Sequence, residues 1–216
     1  MDKSNSKIKN IPNILTISRI VLVPIIICFM LVEFGDSIYT IKFSNVEIKL
    51  GLNLFLAALL FLISSFTDFL DGYIARKYKC VSDFGKFWDP IADKILVNST
   101  LFCLAFKEYI PFWIPIIILI RDIIIDGIRI NAIKKQIVIP ANIWGKLKTI
   151  FQMIAIIIVF FFGVQFNSSL NNWWYWFVQN VLNYIAMILS IASLIIYWLQ
   201  YSKKVKDKEN EQELHS

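Results

Sequence analysis

Four aspartates stand where a chain this apolar has little reason to hold any. Asp68 and Asp71 are three residues apart, and Asp89 and Asp93 are four apart, so each pair falls on one face of a helix. Both pairs sit at the ends of hydrophobic runs, where ionisable side chains are costly and mark a protein interior or a watery cavity. Four carboxylates converging at low dielectric repel one another. One or two hard divalent cations would relieve that repulsion, and carboxylate oxygen suits Mg²⁺ or Mn²⁺. The competing reading has Arg76, Lys86 and Lys94 neutralise the aspartates as helix-end salt bridges, although Lys94 adjoins Asp93 in sequence and so points away from it. Gly72 and Ala75 keep the helix face free of bulk, and Arg76 offers a planar guanidinium suited to phosphate. Gly85 reads equally well as a loop or packing glycine. Together these groups suit a metal-bridged pyrophosphate.

The elements that position them are membrane helices. The chain has 216 residues, 57% of them hydrophobic, and a mean hydropathy of +0.63, more apolar than a soluble domain of that length. A spanning helix needs about 20 predominantly apolar residues. The pattern predicts an all-α integral membrane fold of six crossings, about Pro12–Val32, Leu50–Tyr78, Phe84–Phe106, Ile110–Ile133, Trp144–Phe166 and Trp173–Tyr201. Residues 1–11 are expected as a short interfacial segment, and residues 203–216 as a charged, solvated tail. With no internal repeat and no long linker, residues 1–216 form one expected domain. Helices two and three are joined by a short turn, so they are expected as antiparallel neighbours that bring both aspartate pairs to one depth.

The net charge of +6 is distributed to suit a bilayer rather than nucleic acid. Basic residues gather at Lys3–Lys9, Arg76–Lys86, Lys134–Lys148 and Lys203–Lys208. Their alternation with poorly charged connections is the positive-inside pattern. It places both termini and the polar site on the cytoplasmic side. The three cysteines, Cys28, Cys80 and Cys103, have no metal-binding spacing. Trp173, Trp174, Tyr175 and Trp176 at one end of the last crossing and Tyr197, Trp198 and Tyr201 at the other form an aromatic belt.

A second group of charges lies in the fourth and fifth crossings. Arg121 interrupts an isoleucine-rich run and needs an anionic partner, either Asp122, Asp126 or a bound phosphate. Arg129, Lys146 and Lys148 lie toward the same face, where Lys146 and Lys148 read equally well as ordinary positive flanks. An acceptor carrying its own phosphate would use such a cluster.

The run Asp68-x-x-Asp71-Gly72-x-x-Ala75-Arg76, then eight residues, Gly85-x-x-x-Asp89-x-x-x-Asp93, resembles the signature of the CDP-alcohol phosphatidyltransferases at every fixed position. Residues 11–19, 84–94, 121–129 and Gly145-Lys-x-Lys-Thr149 resemble the bacterial branch whose acceptor is glycerol 3-phosphate. Trp88 departs from the aliphatic residue expected before Asp89, and Asp126 is an extra carboxylate that could pair with Arg129 or near Asp122. The resemblance implies displacement of CMP from CDP-diacylglycerol by an alcohol hydroxyl at a bacterial membrane. It implies two metal ions held by Asp68, Asp71, Asp89 and Asp93, with Asp93 also the general base. It further implies that Gly72, Ala75, Arg76, Gly85, Asn13 and Thr16 line the nucleotide, that Arg121, Arg129, Lys146 and Lys148 hold the acceptor phosphate, and that the protein is a homodimer among membrane lipids. A sister enzyme using inositol phosphate or phosphatidylglycerol would keep the aspartates and differ in the helix four and five pocket. A divalent-cation transporter would instead place its carboxylates near the bilayer midplane. A prenyltransferase-like diphosphate site also uses aspartates, but the Gly72, Ala75 and Arg76 spacing argues against it.

Overall fold

The computed structural model describes residues 3–33, 37–43, 46–77, 83–140, 142–166 and 173–214. Its elements are α1 (Lys3–Leu31), β1 (Ser37–Phe43), β2 (Val46–Gly51), α2 (Leu52–Lys77), α3 (Asp83–Phe106), α4 (Trp113–Lys134), α5 (Ile143–Phe162), α6 (Trp173–Gln179) and α7 (Val181–Leu214). Helices dominate because long apolar runs must satisfy their backbone groups internally.

Two groups of helices meet. α1 lies along both α2 and α3, and α7 lies along both α4 and α5, while α2 and α3 reach across to α5 and α3 to α4. The shared core holds Met30, Phe61, Leu101, Leu104, Ile114, Ile118, Ile156 and Phe160. Phe61 and Phe160 meet across the α2–α5 contact with tilted rings, centroids 5.8 Å apart. Large apolar side chains also cover the outside, among them Phe66, Ile123, Ile188 and Leu199. An apolar exterior of this extent suits hydrocarbon rather than water. Among the described residues, Ile143–Phe162 and Val181–Lys208 are long and apolar enough to cross a membrane, and Leu15–Leu31 and Leu52–Asp68 are shorter apolar runs. α3 and α4 carry their charges inside the helix, which breaks their apolar windows.

Two expectations need correction, and both terminal segments prove to be helical. The fold is not all-α: β1 and β2 form an antiparallel hairpin, where alternation is too short to stand out in the sequence. Ile48 and Leu50 are buried, and the Tyr39 hydroxyl donates to the Phe161 carbonyl, tying the hairpin to the far end of α5. The expected interfacial segment is, from Lys3, the first part of the unbroken helix α1. The last crossing is two helices, broken at Asn180, whose amide donates to the Tyr109 and Trp176 carbonyls at 3.0 and 2.9 Å. The charged tail continues α7 as helix to Leu214.

Helix ends explain how the turns hold. After α3, Tyr109 N–H donates to the Leu104 carbonyl and Glu108 N–H to that of Ala105, with Glu108 at φ 62°. After α4, Ile137 and Gln136 repeat the pattern on Ala132 and Ile133, with Gln136 at φ 55°. These paired bonds satisfy carbonyls that the helix leaves open. At the other end of its chain, α5 starts on Asn142, whose side chain accepts from Trp144 N–H at 3.0 Å, a favourable cap.

Candidate active site

The polar residues gather toward one end of the bundle, away from the hairpin. On α1, Thr16 and Arg19 are fully buried. Arg19 pairs with Asp68 of α2 at 2.5 Å, and the Thr16 hydroxyl donates to Asp89 of α3. One helix therefore ties the two aspartate helices together. Arg19 thus gives Asp68 a cation that the sequence reading, which weighed metal ions against Arg76, Lys86 and Lys94, did not name. Its place near a basic N-terminus gives it the look of a membrane flank. Asp68 keeps 38% of its side chain exposed beside the fully buried Arg19, so the carboxylate still faces open space. Pro90, inside α3, removes one helical hydrogen bond beside Asp89.

Asp93 lies one turn further along α3 than Asp89. It stands in electrostatic range of Asp68, Arg19, Lys148 and Asp122, and so joins the α1–α2 groups to those on α4 and α5. Asp71, Gly72, Ala75 and Arg76 continue the α2 backbone, but their side chains, and those of Asn13 and Lys86, lie outside the described residues. Gly85 is buried near the start of α3. Among the described residues, which exclude the Asp71 side chain, no three metal-ligating side chains converge.

The second group is tighter. Asp122, buried on α4, accepts from Arg121 Nη1 at 2.7 Å and from Lys148 Nζ at 3.3 and 3.0 Å. Arg121 also donates to the Ser190 carbonyl at 3.3 Å and the Ser193 hydroxyl at 2.5 Å on α7. Lys148 is buried and is no simple flank. A Cβ added at Gly145 would stand 3.3 Å from both Arg121 Nη2 and Ser193 Oγ, so the glycine lets α5 come close to the guanidinium. Arg121 and Lys148 thus converge, whereas Arg129 and Lys146 are exposed and make no ion pair among the described residues. Asp126 pairs with Lys94, not with Arg129 as its spacing suggested. Trp88, half-exposed, meets Phe87 edge to face at 5.7 Å. Sequence reasoning passed over Arg19 and Asp122 as site residues. The signal for Asp122 was its place beside Arg121 in an apolar helix.

A mostly helical, membrane-associated protein with aspartates and buried cations at one end of its bundle defines a class of enzyme that works on charged groups at a lipid surface. The chain belongs to the CDP-alcohol phosphatidyltransferase family, which it matches over residues 9–198. A Mycoplasma pneumoniae protein named CDP-diacylglycerol–glycerol-3-phosphate 3-phosphatidyltransferase is 42% identical over 206 residues, covering 93% of this chain and 91% of that one. Proteins of the same name from Bacillus subtilis (38% identical, 68% of this chain and 74% of that one) and Haemophilus influenzae (36%, 90% and 94%) are also similar.

Proposed function

We propose that the chain transfers the phosphatidyl group of CDP-diacylglycerol to glycerol 3-phosphate, giving phosphatidylglycerophosphate and CMP. Family membership and the relatives' names support the donor and acceptor. The structural observation behind the acceptor is the convergence of half-buried Arg121 and buried Lys148 on Asp122, in electrostatic range of Asp93. Two cations against one buried carboxylate leave positive charge for an anionic acceptor to complete. Arg129 and Lys146, exposed at the helix ends, are then suited to drawing that anion toward the site.

The chemistry of the donor set suits a divalent metal, with Asp68, Asp89 and Asp93 not by themselves forming one converged group. Asp68, Asp89 and Asp93 offer hard carboxylate oxygens, Asp68 remains partly open, and the motif adds Asp71. These four would hold two Mg²⁺ or Mn²⁺ ions. When bound, the ions supply charge neutralisation at the pyrophosphate. Gly72, Ala75 and Arg76 line the CDP group on α2. Thr16 and Gly85 lie beside Asp89, with Asn13 one turn before Thr16 toward the nucleotide. Arg19 holds Asp68, and Thr16 orients Asp89. Asp93 takes the proton of the acceptor hydroxyl as its oxygen bonds to the lipid-bearing phosphorus, and the bond from that phosphorus to CMP breaks. Positioning by buried groups supplies the rest.

The positive-inside distribution supports six crossings in a bacterial cell membrane, with both termini and the site cytoplasmic. Residues 1–216 then act as one domain, paired as a homodimer by analogy with the family.

The test is CMP release from CDP-diacylglycerol by purified protein with Mg²⁺ or Mn²⁺, offering glycerol 3-phosphate, inositol phosphate, serine and phosphatidylglycerol separately. Release with glycerol 3-phosphate alone is expected. Release with another acceptor keeps the family chemistry and removes this reading of Arg121 and Lys148.

A further inference from the structure

At the level of Lys148 each ionic group has a partner; one turn deeper two polar groups do not. Gln152 follows Lys148 by four residues on α5 and shares its face. It is 1% exposed, and its Nε2 has no hydrogen-bond partner among the described residues. Ser190, across the α5–α7 contact, is fully buried. Its carbonyl accepts from Arg121 Nε, but its Oγ has no partner among the described residues. The two helices run antiparallel, since Gly145 near the start of α5 lies beside Ser193 on α7, while Val164 just past the end of α5 donates to Gln179 just before α7. Ser190 is therefore one turn deeper than Ser193, as Gln152 is one turn deeper than Lys148. Ala186, the next residue on that face of α7, is also fully buried and adds little bulk there.

A buried amide and a buried hydroxyl without partners are costly in apolar surroundings. Neither is charged, so they suit an alcohol oxygen better than a phosphate, which Arg121 and Lys148 attract. We propose that Gln152 and Ser190 bind the acceptor's free hydroxyl, the one that neither carries phosphate nor attacks, and thereby select a polyol phosphate over a simple hydroxyalkyl phosphate. This rests on glycerol 3-phosphate as the acceptor. With its phosphate at Arg121 and Lys148 and its reacting hydroxyl toward Asp93, the middle hydroxyl is the acceptor's one polar group still to be placed. A pocket built to hydrogen-bond a hydroxyl rejects the analogue lacking it, because the pocket's own groups are left unpaired.

The experiment compares CMP release with glycerol 3-phosphate and with 3-hydroxypropyl phosphate, which lacks the middle hydroxyl. It uses full-length protein, Gln152→Met and Ser190→Ala, all supplied with CDP-diacylglycerol. Ser190→Ala keeps the carbonyl that Arg121 uses, so it provides a mild variant if Gln152→Met folds poorly. The unsubstituted protein is expected to prefer glycerol 3-phosphate by about 10-fold or more in kcat/KM. Each variant is expected to narrow that preference, losing more on glycerol 3-phosphate than on the deoxy acceptor. An unchanged preference in both variants, or equal loss on both acceptors, overturns the proposal; the two groups would then hold water or only pack the helices. Release by the unsubstituted protein with neither acceptor, but with another alcohol, overturns the acceptor reading itself.

Discussion

Lys148 reaches both carboxylate oxygens of Asp122, at 3.3 Å to Oδ1 and 3.0 Å to Oδ2. The pair joins α5 to α4 in a region where both side chains are almost fully buried. A buried ion pair adds little net stability over an apolar pair, but removing one partner strands a charge. Asp122 also holds Arg121, so one carboxylate orients two cations.

Asp122→Asn is therefore expected to cost about 3–5 kcal/mol in stability, as breaking one side of a buried pair does. Arg121 keeps Ser190 and Ser193, whereas Lys148 loses its anion. KM for glycerol 3-phosphate should rise together with a clear drop in the melting temperature of the purified protein. A variant that melts and turns over normally would show that Asp122 organises nothing.

Arg19→Met tests the link between α1 and the aspartates. Arg19 is fully buried and Asp68 is partly open, so the substitution strands a carboxylate that can still be hydrated, and the stability loss should be smaller than for Asp122. Activity should fall further than stability, because Asp68 loses the group that orients it. The comparison is between CMP release and the melting temperature of the same preparation. Equal, small effects on both would make Arg19 a packing residue.

How much was legible follows from what a charge costs. Asp68, Asp89, Asp93 and Arg121 announced themselves because each interrupts an apolar run, and no such residue is placed there cheaply. Arg19 did not, since one cation after a basic start resembles any membrane flank. Lys148 was readable in two ways until burial chose between them. The hairpin at 37–51 escaped notice because short alternation without a strong turn signal is weak evidence. The break at Asn180 escaped because the apolar pattern runs straight through it; only the Tyr109 and Trp176 carbonyls that its side chain caps reveal the boundary.

Gly145→Ala adds a methyl where Arg121 Nη2 and Ser193 Oγ are both 3.3 Å away. Helix propensity alone favours alanine by about 1 kcal/mol, so the variant should not melt much lower. The crowding falls on the guanidinium, so the expected effect is a higher KM for glycerol 3-phosphate with little change in kcat. A change in kcat with KM untouched would place Gly145 outside the acceptor pocket.

The Lys94–Asp126 pair is partly exposed, at 33% and 42% of the side chains. Exposed pairs contribute roughly 0–1 kcal/mol. Asp126→Asn should leave stability within about 1 kcal/mol and activity within about two-fold, measured by melting and by CMP release. A loss of 100-fold would instead mean that Lys94 is held by Asp126 for a purpose at the neighbouring Asp93.

The metal reading and the base reading of Asp93 make separable predictions. Chelation of divalent ions should abolish CMP release, and added Mg²⁺ or Mn²⁺ should restore it, because the carboxylates of Asp68, Asp71, Asp89 and Asp93 would otherwise face the pyrophosphate with like charge. Asp93→Asn keeps the shape and removes the proton acceptor. Loss of general-base catalysis is worth roughly 10²–10⁴-fold, and excess metal should not recover it if the proton is the issue. Recovery at high metal concentration would assign Asp93 to metal holding instead. Release that survives exhaustive chelation would remove the metal from the reaction and leave the chain's own cations, Arg19 and Lys148 among them, to meet the charge near Asp93.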